Sequence, residues 1–240
     1  MPVPIRTCLP VLLLSATLAA HAGWEGEAEA SADFSRGNSR SDAWRVDLDV
    51  AKRTDHDRSS MLIEARRERA ASDEGAVELV NERYLVSPKY ERWRDGDDRY
   101  YGFVDPELKY NRFSYLKHRN SLIVGAGLRD AVFERGKLTL EVGPGYRRTV
   151  HSDDTRSNAP LLVVRNRFDY PIGDSIDFFQ TLQLEYSRHE DLAELGVGLK
   201  SKLSEHFSVK FRVDWTYSEP VDSLTRRLDT ESRFSVAYEF

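Results

Sequence analysis

The 240-residue chain has a single cysteine, Cys8, and it lies within the first two dozen residues. Beyond it, neither a disulfide nor a thiolate metal site can form, so the stability of the fold must come from elsewhere. Uninterrupted apolar runs of roughly eighteen residues are also lacking, which excludes a membrane-spanning helix. There is no basic face: 35 Lys and Arg stand against 40 Asp and Glu with the signs mixed throughout, so nucleic acid is not an expected partner. The 14 glycines and 9 prolines are scattered, leaving no low-complexity tract or long linker to divide the chain into domains.

What is present begins with a leader. Met1–Thr7 carries Arg6, Leu9–Ala20 is apolar, and Ala20-His21-Ala22 has the small-x-small form of a cleavage site. That order marks a secretory signal peptide, and its apolar run is too short to cross a bilayer. Residues 1–22 are therefore expected to be removed. Cys8 precedes the apolar run, which argues against a lipid anchor. Loss of Arg6 takes the formal charge from −5 to −6.

The chain from Gly23 onward alternates. Trp24, Gly26, Ala28, Ala30, Ala32 and Phe34 fall on one side, and Glu25, Glu27, Glu29, Ser31, Asp33 and Ser35 on the other. A period of two places the sets on opposite faces of a strand. The pattern recurs along Trp44–Val50, Met61–Arg66, Asn81–Glu91, Arg99–Arg112, Ser121–Leu128 and Lys137–Arg148. It continues along Pro160–Tyr170, Ile176–Tyr186, Glu194–Leu203, Phe207–Tyr217 and Leu228–Phe240. These make about twelve strands separated by short polar turns.

A low mean hydropathy would ordinarily suggest a soluble protein, but a membrane barrel turns only every second residue to lipid and shares it. Three features favour an all-β, antiparallel transmembrane barrel over a soluble sandwich. The count is even, the strands are long enough to cross, and aromatics gather at the strand ends. With the N-terminus in the periplasm, Trp24, Tyr170, Phe207, Tyr238 and Phe240 form one girdle. Phe34, Trp44, Tyr186, Trp215 and Tyr217 form the other. Pro88, Pro106 and Pro144 lie inside expected strands, where each removes a ladder hydrogen bond or forces a bulge. The register of strands four to six is therefore the least determined. Asn166 and Gln180 fall on expected lipid faces, which suggests a bulge or a position near the interface.

In the last strand, Phe234, Val236, Tyr238 and Phe240 alternate with Arg233, Ser235, Ala237 and Glu239. This resembles the signal read by the outer-membrane barrel assembly machinery, which is then an expected partner together with outer-membrane lipids. The strand should close against Trp24–Ser35. Taken with Gly23-Trp24-Glu25-Gly26-Glu27, Phe34-Ser35-Arg36-Gly37-Asn38-Ser39 and Glu141-Val142-Gly143-Pro144-Gly145-Tyr146-Arg147, residues 23–240 resemble the YdiY-like family of salt-induced outer-membrane proteins, a family of unknown function. The resemblance implies an outer-membrane location in a Gram-negative bacterium and a link to salt or osmotic stress. It supplies no catalytic residues.

No chemistry of the usual kinds stands out. His56, His118, His151, His189 and His206 are too widely spaced for a zinc site, and no cofactor is expected. His151-Ser152-Asp153-Asp154 holds the residue types of a hydrolytic triad in an expected outer loop. Adjacent loop residues, however, do not stack into a nucleophile–base–orienter line. His189-Glu190-Asp191 could bind a divalent cation weakly, and His56 and His206 fall in turns. Gly143-Pro144-Gly145 is not followed by a helix that could cap an anion, so it reads as a bend or a site of close packing.

The informative surface is the expected lumen. Alternation assigns it Glu25, Glu27, Glu29, Asp33, Asp47, Asp49, Glu64, Asp105, Glu107, Glu185 and Asp214, and of opposite sign Arg45, Arg66, Lys109, Arg147, Arg165, Arg167, Lys200, Lys210 and Arg212. In one reading the charges pair across the wall and fill a narrow bore. In the other, the acidic first strand faces basic strands eight, ten and eleven across water and makes a channel for small polar solutes or ions. Twelve strands do not decide between them. The outer loops, near ten residues at most around Arg69–Val77, His151–Asn158 and Glu219–Arg227, are too short for a plug. Three functions remain open: a structural or stress-related barrel without catalysis, a narrow passive channel, and a surface lipid or peptide hydrolase.

Overall fold

Alternating sequences of this length can satisfy their backbone only by pairing with neighbours on both sides, and closure into a ring leaves no edge. The computed structural model takes that form. It describes residues 23–35, 41–71, 77–94, 97–114, 116–132, 135–188, 191–218 and 228–240. The leader lies outside them.

Among the described residues there are twelve strands: β1 (Glu25–Ser35), β2 (Ser41–Arg53), β3 (Asp57–Ala71), β4 (Val77–Arg94), β5 (Asp97–Asn111), β6 (Leu116–Val132), β7 (Gly136–His151), β8 (Arg156–Pro171), β9 (Ile176–Ser187), β10 (Leu192–Lys202), β11 (Phe207–Ser218) and β12 (Leu228–Glu239). Each pairs antiparallel with its sequence neighbours, and β12 returns to β1 to close the barrel. No helix among the described residues is long and apolar enough to cross a membrane.

Burial is inverted relative to a soluble protein. Leu122, Val124, Tyr146, Leu162, Phe211 and Phe234 face outward and are 43–61 % exposed. Glu91, Asp105, Glu185 and Arg233 face inward and are 1–4 % exposed. An apolar outer band around a polar interior is the pattern of a barrel solvated by lipid.

The three strand prolines act differently from a bulge. Pro88 and Pro106 face one another across the β4/β5 seam, where pairing lapses between Val86–Leu108 and Tyr90–Val104 and resumes in the same register. Pro144 stands in a similar lapse between Ile123–Gly145 and Ala126–Val142. Here β6 and β7 come so near that a Cβ on Gly125 would lie 2.8 Å from the Gly143 Cα, so close packing is what the Gly143-Pro144-Gly145 stretch provides. In β4–β6, the part of the register least determined by sequence, the shifts occur only near strand ends, at Glu68/Arg69, Trp93/Arg94 and Leu116/His118. Asn166 and Gln180 need no bulge either, since they pair in uninterrupted register with Leu182 and Phe168.

The rims carry rings. At the rim bearing the N-terminus, Phe207 meets Tyr238 at 5.2 Å between centroids and Phe168 meets Tyr170 at 6.2 Å. At the opposite rim Tyr84 stacks on Tyr110 at 6.2 Å. His206, in the turn before β11, has its Nδ1 3.1 Å from the Glu239 carbonyl oxygen.

Candidate functional site

The lumen has two unlike walls. Along β4–β8 its inward side holds a buried cluster of Trp93, Tyr101, Phe103, Ile123, Leu161 and Val163. The Tyr101 and Phe103 rings lie over Gly127 and Gly125 of β6, where an added Cβ would meet ring atoms at 2.2 and 2.7 Å. A large ring covering a glycine on the next strand restores the packing that glycine lacks. Trp93 in turn holds the N-terminal rim: its Nε1 donates to the Asp55 carbonyl oxygen at 2.9 Å and the Arg53 guanidinium covers its ring.

Charges thread this wall. Tyr101 Oη donates to Glu141 Oε1 at 2.6 Å, and Lys89, whose Nζ lies 4.9 Å from the Phe103 ring centre, donates to the same carboxylate. Arg129 donates to Glu91 at 2.7 Å. Arg165 of β8 reaches Asp105 and Glu107 of β5, each at 2.5 Å, and its Nε donates to Gln183. Glu185 gathers Arg147 at 2.9 Å, Arg119 at 3.5 Å and Lys109 at 4.0 Å. Lys89–Glu141 and Arg165–Asp105 step over three strand intervals of the ring, and Lys109–Glu185 over four. Such pairs cross the bore instead of lining it. Buried to this degree, they persist only because each carboxylate has several donors.

The second wall, β9–β12 with β1–β3, is less buried but also paired. Lys210 joins Glu27 and Glu29, and Lys200 joins Glu27 at 2.7 Å and Glu239 at 2.5 Å. Arg45 holds Asp47 at 2.9 Å and Glu64 at 3.0 Å. Arg66 holds Glu231, Arg212 holds Asp214 at 2.6 Å, and Arg233 bridges Asp214 at 2.8 Å and Asp47 at 3.3 Å. Glu25 is exposed at the N-terminal rim, and Arg167 pairs with Asp169 in an open setting near it.

Of the lumen residues named from sequence, the structure brings Glu27, Glu29 and Lys210 into one cluster and Arg45, Asp47 and Glu64 into another. The acidic first strand does meet basic β10 and β11, but by direct contact. Arg165 of β8 turns instead to β5. Sequence reasoning passed over Lys89, Glu91, Arg129 and Glu141 and the inward rings of Trp93, Tyr101 and Phe103. The odd-number parity of β5, carried back past Pro88, would have found Lys89, Glu91 and Trp93.

The outer-rim candidates are scattered. His151 ends β7, with its Nε2 3.2 Å from Ser157 Oγ, a residue outside the His151–Asp154 stretch. Asp153 binds Thr155, whose hydroxyl and amide hold its carboxyl below the usual carboxylate range. His189 and Glu190 lie outside the described residues, and Asp191 accepts the Ser187 amide. Among the described residues no group of three or more His, Cys, Asp or Glu is placed to hold a metal ion.

A family model described as a protein of unknown function, DUF481, matches residues 28–240. The chain belongs to the DUF481 family. The match takes in β2–β12 and all of β1 but its first three residues, and the YdiY-like resemblance is consistent with it. No curated protein matches this DUF481 chain in sequence. Among solved structures it is similar to the NanC porin, with 13 % identity and a TM-score of 0.54 over 90 % of this chain and 98 % of that one. An outer-membrane channel from Pseudomonas putida F1 matches with 10 % identity and a TM-score of 0.52 over 90 % and 94 %. The translocator domain of the autotransporter NalP from Neisseria meningitidis matches with 12 % identity and a TM-score of 0.50 over 96 % and 95 %. At these identities the likeness is one of fold: an outer-membrane β-barrel.

Proposed function

We propose that this DUF481 protein resides in the outer membrane, with its N-terminal rim in the periplasm, as a barrel closed along its axis by its own ion pairs. It contributes to the envelope under salt or osmotic stress and performs no catalysis. The observation that carries the reading is the set of pairs crossing the bore, Arg165–Asp105, Lys89–Glu141 and Lys109–Glu185, set against the apolar cluster around Ile123. A solute on the axis would have to part buried charges, and each parted carboxylate would remain in a poorly solvated lumen. Stress bears on the two walls unequally: added salt screens the partly exposed pairs of β1, β10 and β11 more than the more deeply buried carboxylates of β4–β8.

The test is ion efflux from proteoliposomes holding the refolded protein. A chloride or potassium gradient should decay no faster than in protein-free vesicles; rapid collapse would contradict the closed axis.

A second reading, a narrow passage for ions or small polar solutes along the less buried wall, is favoured by the partial exposure of Glu27, Lys210 and Arg212. It predicts efflux whose ion preference changes when Glu27 and Glu29 become Gln. The hydrolase reading has only the His151–Ser157 contact behind it, and Ser157→Ala would be its test.

A further inference from the structure

The outward face of β7–β9 differs between its two rims. At the N-terminal rim it is apolar or aromatic: Leu138 pairs with Phe168, whose ring lies 6.2 Å from Tyr170 and 6.3 Å from Phe178. No Arg or Lys shares that end of the face among the described residues. At the opposite rim the same alternation brings out Arg148 on β7 and Arg156 on β8, both exposed, with Arg188 exposed just past the end of β9. Arg148 pairs with Asn158 and Arg156 with Val150, so the two arginines are diagonal neighbours across one seam, about 7–8 Å apart. None of the three has a carboxylate partner among the described residues, whereas the inward Arg147 and Arg165 of the same strands do.

A step in the wall lies beside them. Pairing of β8 with β9 ends at Leu161–Ser187, while β8 continues against β7 as far as Arg156–Val150. The step leaves a shallow groove of about 490 Å³, with Pro160, Leu162 and Tyr186 along it and Arg188 and Asp191 at its end. The Asp191 carboxylate is turned to the backbone, where it accepts the Ser187 amide at 3.1 Å. Tyr146 of β7 stands opposite Pro160, so two exposed tyrosines, Tyr146 and Tyr186, flank the Pro160 and Leu162 floor. Outward tyrosines mark the membrane interface, and Arg148 and Arg188, each two residues beyond such a ring, stand at the level of the head groups. Guanidinium groups at that level suit phosphate, which they bind through paired N–H donors.

We propose that this face binds lipid A, the phosphorylated, many-chained glycolipid of the outer leaflet. Arg148 and Arg156 hold a phosphate between them, Arg188 approaches the head from the far side of Pro160, and an acyl chain descends over Leu162 beside Tyr186. The proposal rests on the outer-membrane reading and its orientation, since it needs this rim to lie in the outer leaflet. A phospholipid of the inner leaflet would meet the uncharged rings of Phe168, Tyr170 and Phe178 on the same strands. Binding here does not depend on whether the axis conducts.

The test titrates the refolded full chain in detergent micelles with lipid A and counts the retained lipid by native mass spectrometry. The native protein should keep lipid A in preference to phosphatidylglycerol. Arg148→Gln, Arg156→Gln and Arg188→Gln together should weaken retention about tenfold or more. Arg148→Gln alone should weaken it in part, which keeps the test decisive if the triple variant misfolds. Arg92→Gln, at an exposed outward arginine of the N-terminal rim, should change nothing. Equal retention by native and variant proteins, or equal retention of phosphatidylglycerol, would overturn the site. Displacement of the lipid by millimolar inorganic phosphate would overturn the groove and leave only a free-anion site. Orientation is read separately, by an impermeant maleimide on intact Gram-negative cells expressing Ser152→Cys in a Cys8→Ser chain. Labelling without lipid A retention would overturn the site alone. Retention without labelling would overturn the orientation, and the outer-leaflet source with it.

Discussion

Arg165 holds two carboxylates of β5 and the Gln183 amide of β9 at once, from a side chain that is itself mostly buried. Arg165→Met therefore leaves Asp105 and Glu107 in the lumen with fewer donors. Removing one partner of a buried ion pair costs about 3–5 kcal/mol, and the lower end applies because Ser87 still serves Asp105 and Lys109 still serves Glu107. Urea unfolding in vesicles should show the loss as a lower midpoint. Tyr101→Phe removes the hydroxyl from Glu141 and should cost about 1.5–3 kcal/mol, as for a hydrogen bond to a charged group. Gly127→Ala should disturb the same ring by crowding, and it should be the more damaging because Tyr101 cannot move without leaving Glu141. At this scale the sequence was only partly legible. Alternation marked Arg165 and Asp105 as inward, but not that they meet. A contact across three strand intervals depends on how the closed sheet is sheared and flattened, and a period of two is silent on both.

Strands were legible because their two faces answer to different solvents. Twelve stripes were visible, yet β4, β6 and β7 extend beyond their apolar stretches, since rim residues such as Arg94, His118 and His151 continue the ladder without continuing the pattern. Prolines were the misleading signal. Pro88 and Pro106 face each other and interrupt one seam at a single place, so neither forces a bulge. Replacing both with Val should supply the missing donors, and amide exchange at Val86 and Leu108, whose amides point into that seam, should slow; unchanged exchange would mean that the seam is held by other contacts. The outward face predicts a different asymmetry. Val142, exposed on β7, should tolerate Leu but not Arg, whose cost at mid-depth is about 2–4 kcal/mol. Arg148 already sits outward near the rim of the same strand, where that cost is small.

For the molecule as a whole, the inverted burial, the paired lumen and a β1/β12 seam whose ladder stops at Ala30–Val236 describe one barrel, which the proposed reading holds to be sealed along its axis. The first of these was foreseeable from alternation alone. The seal is one of two readings that the sequence leaves open, because the mixed signs that allow pairing are equally those of a wet bore. The seam could not be read at all, since Trp24–Ser35 and Leu228–Phe240 are equally regular along their full lengths while their pairing stops part-way. Planar-bilayer recording addresses the seal most directly, comparing the native protein with a Lys89→Met, Arg165→Met variant shown to be folded by heat-modifiable gel mobility. The account predicts a silent native barrel and steady single-channel steps from the variant. Steady steps from the native protein, left unchanged by the two substitutions, would contradict it.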